Sequence, residues 1–73
     1  MALDAAAIDD IFTYHAPTTD QIPKYQAIRD AAKAFALVLI ANTPASADQT
    51  AAVRLLRQAV TTANQAIALG GKY

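Results

Sequence analysis

The chain has 73 residues and a mass of 7.7 kDa, which makes one small domain with no room for a second core. Six basic residues balance six acidic ones, all Asp, and this excludes the positive field that general DNA or RNA binding requires. Cys is absent while 55% of residues are hydrophobic, so the fold has no disulfide or thiolate metal staple to draw on.

Three Pro (17, 23 and 44) and the adjacent Gly70 and Gly71 divide the chain into three segments, none alternating with period two. An all-α fold is expected. The first helix spans Asp4–Phe12, with Asp4 as N-cap and Leu3 and Ile8 as a hydrophobic staple. Asp9 and Asp10 fall near its C-terminal end, where the macrodipole disfavours anions, so this helix is short and held by docking. Residues 13–19 form a loop. Thr18, Thr19 and Asp20 are capping types and Pro23 suits a first turn, which predicts a long helix over Asp20–Asn42.

A tight break at Asn42-Thr43-Pro44-Ala45 precedes a capping box, Ser46-Ala47-Asp48-Gln49. The last helix therefore occupies 46–69, Ser46 being its cap, and ends at Gly70-Gly71. Two long helices joined by so short a link form an antiparallel αα-hairpin.

Each long helix carries two apolar stripes. Tyr25, Ile28, Ala32, Phe35 and Leu39 make one seam, and Val53, Leu56, Val60, Ala63 and Ile67 its partner. Beside them run Ala27, Ala31, Ala34, Val38 and Ala41, and Ala52, Leu55, Ala59, Ala66 and Leu69. A hairpin needs one seam per helix. The second, Ala-rich stripe permits close approach and is expected to face another subunit, giving a helical homo-oligomer. The longest apolar run, Ala34–Ala41, is far below the ~20 residues of a membrane span. Asp4 stands where a secretory signal carries Lys or Arg, so a cytosolic protein is expected.

Enzyme chemistry finds little support. There is one His, no Glu, no phosphate loop and no metal-ligand spacing, so no catalytic residue, cofactor or metal is expected. Asp9 and Asp10 are neighbours on a helix and point different ways. The polar residues that stand out are Tyr14 and His15 in the loop, Arg29 and Lys33 on one helix face, and Arg54, Arg57, Thr61 and Asn64 at 3-4-3 spacing. Taken alone, these are most simply solvated edges and a loop aromatic.

Tyr14-His15-Ala16-Pro17, Gln21-Ile22, Tyr25 and Ile28-Arg29-Asp30-Ala31-Ala32, with Leu56, Ala59-Val60 and Ala63-Asn64-Gln65-Ala66-Ile67-Ala68, cover most of the chain. Together they resemble the small phage helical-hairpin proteins that sequester cyclic oligonucleotide signals of CBASS-type anti-phage immunity. The resemblance implies a compact homohexamer in the host bacterial cytoplasm. Cyclic dinucleotides such as 3',3'-cGAMP would be held between two subunits without cleavage. It matches the family's base-stacking aromatic to Tyr14 and its phosphate-contacting base to Arg29, with His15, Pro17 and Lys33 beside them. More loosely, Arg54, Arg57 and Thr61 match a separate cyclic trinucleotide site. The physics agrees with the first of these sites. A pseudo-symmetric ligand between two copies meets each residue twice, and stacking is worth about 1–3 kcal/mol per base. The alternative, from a different class, is a non-enzymatic helical oligomerisation or protein-interaction module whose ligand is another protein.

Overall fold

The computed structural model describes residues 3–73, and among them it contains three α-helices and no strand: α1 (Ala5–Ile11), α2 (Ile22–Asn42) and α3 (Ala47–Ala68). Asp4 caps α1, its Oδ1 accepting from the Ala7 N–H at 2.8 Å. The Thr13 hydroxyl closes the other end by donating to the Asp9 carbonyl at 2.6 Å. Leu3 and Ile8 both remain exposed, so the expected staple does not bury them.

α2 begins two residues later than the expected Asp20. Residues 19–21 form a turn in which the Thr18 carbonyl accepts from Gln21 N–H and Ile22 N–H at 3.0 and 3.2 Å. Gln21 Oε1 returns to the Thr18 N–H at 3.0 Å. Thr18 thus caps this turn rather than the helix itself. Pro23 has no N–H to donate, so the helical ladder opens with Lys24 and Tyr25 N–H bonding to the Gln21 carbonyl.

Between the long helices, Ser46 Oγ accepts from the Gln49 N–H at 3.1 Å, half of the expected capping box. The Gln49 side chain does not return to Ser46. It donates to the Thr43 carbonyl and hydroxyl, both at 3.1 Å, and so ties the start of α3 to the end of α2. At the far end Gly71 N–H bonds the Ala66 carbonyl and Gly70 N–H the Ile67 carbonyl, at 3.0 and 3.2 Å. This is a Schellman cap, and the positive φ at both positions (63° and 75°) is why Gly occupies them.

α2 and α3 pack antiparallel along Tyr25, Ile28, Ala32, Ala36 and Leu39 against Val53, Leu56, Val60, Ala63 and Ile67, all half-buried. Phe35, expected in the seam, is 53% exposed, and Ala36 takes its place. Both series cover 25–39 in four steps, so spacing alone does not separate them; the smaller side chain is the one turned inward.

One chain leaves much surface open. Its accessible surface is 5593 Å², against about 4,300 Å² expected for a compact monomer of this mass. Its radius of gyration is 15.5 Å, where about 11 Å is usual at this length. Leu69, at 8% exposure, is the one buried apolar residue among those described. The stripe Ala27, Ala31, Ala34, Val38 and Ala41 is wholly exposed.

Candidate ligand-binding site

The loop between α1 and α2 folds back over the open end of the hairpin. Two interactions hold it there. His15 Nε2 lies 2.8 Å from the Asp10 carbonyl, and since a carbonyl only accepts, that nitrogen carries the proton. Gln21 Nε2 donates to the Ile67 carbonyl at 3.3 Å, pinning the loop's other end to α3. The cleft so formed encloses about 660 Å³ between the loop, the first turns of α2 and the last turns of α3. Tyr14, His15, Pro17, Tyr25, Arg29 and Asn64 are among its lining residues.

The Tyr14 ring is 83% exposed and has no protein surface over most of its area. It is therefore available as a stacking face. Arg29, also exposed, donates from Nη1 to Gln26 Oε1 at 3.2 Å, and Gln26 Nε2 in turn donates to Asp30 at 2.8 Å. No carboxylate lies within ion-pair distance of Arg29 among the described residues, so its charge is uncompensated at the cleft. The arrangement suits a planar ring joined to an anion.

His15 stands in the cleft but spends its Nε2 on the Asp10 backbone, with Asp10 Oδ1 a further 3.4 Å away. Its other ring nitrogen is the one open to a ligand. Lys33 does not join this group. It lines a neighbouring groove with Arg57 and Thr61, one turn farther along α2 than the cleft reaches. Arg54, Arg57 and Thr61 themselves share a shallow groove of about 500 Å³ on α3, together with Gln58 and Thr62. Thr61 donates its hydroxyl to the Arg57 carbonyl at 3.0 Å.

Asn64 falls in the α3 row by spacing but lines the first cleft, and its buried Oδ1 has no hydrogen-bond partner among the described residues. Sequence reasoning missed it as a site residue. The available signal was an amide next to the Val60–Ala63–Ile67 seam, where an apolar residue packs more cheaply.

Asp10, at the end of α1, accepts from Lys72 Nζ at 3.1 Å and from the Tyr73 hydroxyl at 3.2 Å. The Lys72 hydrogen bond foremost, with that of Tyr73, holds the Asp10 carboxyl below the usual range against partial burial. Burial, then the bond to Asp10, pushes the Tyr73 phenol up. Among the described residues no His, Asp or Glu cluster could hold a metal ion, and no helix is long and apolar enough to cross a membrane.

The family model for the Acb2/Tad1 hairpin domain matches residues 4–68. The chain belongs to this family. Acb2/Tad1 proteins are the anti-CBASS sponges, which sequester their ligands rather than transform them. The match covers α1, the loop and nearly all of the hairpin, so both grooves lie within Acb2/Tad1 sequence. No curated protein and no solved structure gave a significant match.

Proposed function

We propose that the protein binds and holds a cyclic dinucleotide, 3',3'-cGAMP or a close relative, in the Tyr14–Arg29 cleft, and that it does so without cleaving the ligand. The observation that carries this reading is the meeting of Tyr14, His15, Pro17 and Arg29 in one cleft of a chain that belongs to a sponge family. Tyr14 stacks on a base, Arg29 clamps a phosphate, and Pro17 stiffens the loop between them.

One chain supplies one ring and one guanidinium, whereas a cyclic dinucleotide carries two bases and two phosphates. A second copy related by a two-fold axis completes the pocket, and the surface left open on each protomer supports that assembly. A hexamer, as the family resemblance implies, satisfies three such pairs. Lys33 contributes charge from the adjoining groove instead of contacting the same phosphate. Arg54, Arg57 and Thr61 form the second, trinucleotide-holding site. The protein acts in the cytoplasm of the infected bacterium, where the signal is made.

Titration calorimetry with 3',3'-cGAMP tests the reading, followed by heat release and chromatography of the ligand. Tight binding at about half a ligand per chain, with intact recovery, supports a shared non-catalytic pocket. Absence of heat with every cyclic dinucleotide and trinucleotide overturns it in favour of a protein-interaction module. Recovery of a linear product makes the protein a phosphodiesterase.

A further inference from the structure

No Cα of α1 comes within 8 Å of a Cα of α2 or α3 among the described residues, so α1 is not seated by close helix packing. Side chains hold it. Asp10 is the junction: its Oδ2 accepts from Lys72 and Tyr73, while its carbonyl accepts from His15 in the Tyr14 loop. The two residues that follow, Ile11 and Phe12, form a partition. On one side they line the Tyr14–Arg29 cleft. On the other they line a second cleft, also about 660 Å³, whose far wall includes Lys72 and Tyr73.

We propose that Lys72 and Tyr73 are positioning residues, a clasp on Asp10 that fixes α1 and thereby sets where Tyr14 stands over the ligand cleft. The Schellman cap at Gly70-Gly71 turns the chain so that these two side chains reach back across to α1. Both residues lie beyond the segment that the family model matches, which ends at residue 68. Lys72 and Tyr73 are therefore not part of the matched pattern, whereas Asp10 is. With it released, the partition swings, and the cleft loses the preorganisation that tight binding needs.

The ligand consequence rests on the function proposed above, but the clasp itself is read without ligand. The test uses the 73-residue chain with Lys72→Met and Tyr73→Phe combined. Millisecond hydrogen exchange over residues 5–15 is expected to quicken at least about fivefold, with α2 and α3 unchanged. The dissociation constant for 3',3'-cGAMP is expected to rise about three- to tenfold through faster release, and Lys72→Arg restores both readouts. Unchanged exchange overturns the clasp. Faster exchange with unchanged affinity overturns its positioning role and leaves only a structural one. If the unaltered chain binds no cyclic dinucleotide, the function proposal fails, and exchange alone decides whether the clasp exists.

Discussion

Arg29 donates to Gln26 Oε1 at 3.2 Å and pairs with a neutral amide rather than a carboxylate. Gln26 is itself oriented by Asp30, so the guanidinium is aimed without being neutralised. A charged hydrogen bond to phosphate contributes about 1.5–3 kcal/mol, and a two-fold pocket contains two such arginines. Arg29→Ala is therefore expected to weaken 3',3'-cGAMP binding by about 100-fold or more, while far-UV circular dichroism stays unchanged. Lys at this position keeps the charge but loses the fork, and Arg29→Lys should fall between the two. Calorimetry on the three proteins at equal protomer concentration measures the series, and equal affinities remove Arg29 from the site.

Tyr14 separates stacking from hydrogen bonding. Its ring is exposed and its hydroxyl has no partner among the described residues, so the ring face is its only evident asset. Tyr14→Phe should bind within about threefold of the unaltered chain, whereas Tyr14→Ala loses stacking on two bases at about 1–3 kcal/mol each. Fluorescence of a 2-aminopurine analogue of the ligand, quenched by stacking, reports the same contrast. A Phe variant as weak as the Ala variant would shift the role from the ring to the hydroxyl.

The hairpin was legible because its signals are local: caps at Asp4 and Ser46, breaks at Pro and Gly, and apolar spacing in two long helices. The departures are places where a longer-range choice decided the outcome. Pro23 delayed the start of α2 by withholding an N–H, and Gln49 turned to the Thr43 carbonyl and hydroxyl, just past the end of α2, instead of its own cap. Phe35 yielded its seam place to Ala36, and spacing alone does not resolve the two because both series cover 25–39 in four steps. In the site, Tyr14, His15, Pro17 and Arg29 converge because one short loop and one turn of α2 carry them. Lys33, four residues past Arg29, shares its helix face but is carried about 6 Å along the axis, into the next groove. The Asp10–Lys72–Tyr73 contacts span nearly the whole chain and have no periodic signature at all.

Those contacts predict a defined pH window. The Asp10 carboxyl lies below its ordinary value, chiefly through Lys72, then Tyr73 and His15. A lowered folded-state value means that the contribution is present above about pH 4 and is lost as pH falls through the folded value. The Tyr73 phenol is raised, through burial and then Asp10, with Asp4 adding to the effect. Its contribution is present below about pH 10 and is lost as pH rises through the folded value. Carbon-13 titration of the two groups measures both limbs. Lys72→Met should raise the Asp10 midpoint toward the ordinary carboxylate range, and Asp10→Asn should lower that of Tyr73. Midpoints that ignore these substitutions would mean the contacts are not populated in solution.

The exposed stripe on α2 yields the test of assembly. Ala31 and Ala34 lie on a wholly exposed face whose larger neighbours, Phe35 and Val38, are each more than half exposed in one chain. If a second copy covers this face, a Glu there becomes a buried, unpaired charge at a cost of several kcal/mol. Ala31→Glu or Ala34→Glu should then convert the oligomer to monomer in sedimentation equilibrium, and Ala34→Ser, small and neutral, should not. Both Glu variants are expected to remain helical, because Glu is a good helix former and both positions are exposed in one chain. They should also lose cyclic dinucleotide binding even though Tyr14 and Arg29 are intact, since half the pocket departs with the partner. Glu variants that sediment like the unaltered chain would return this face to solvent and put the pocket's second half on another surface.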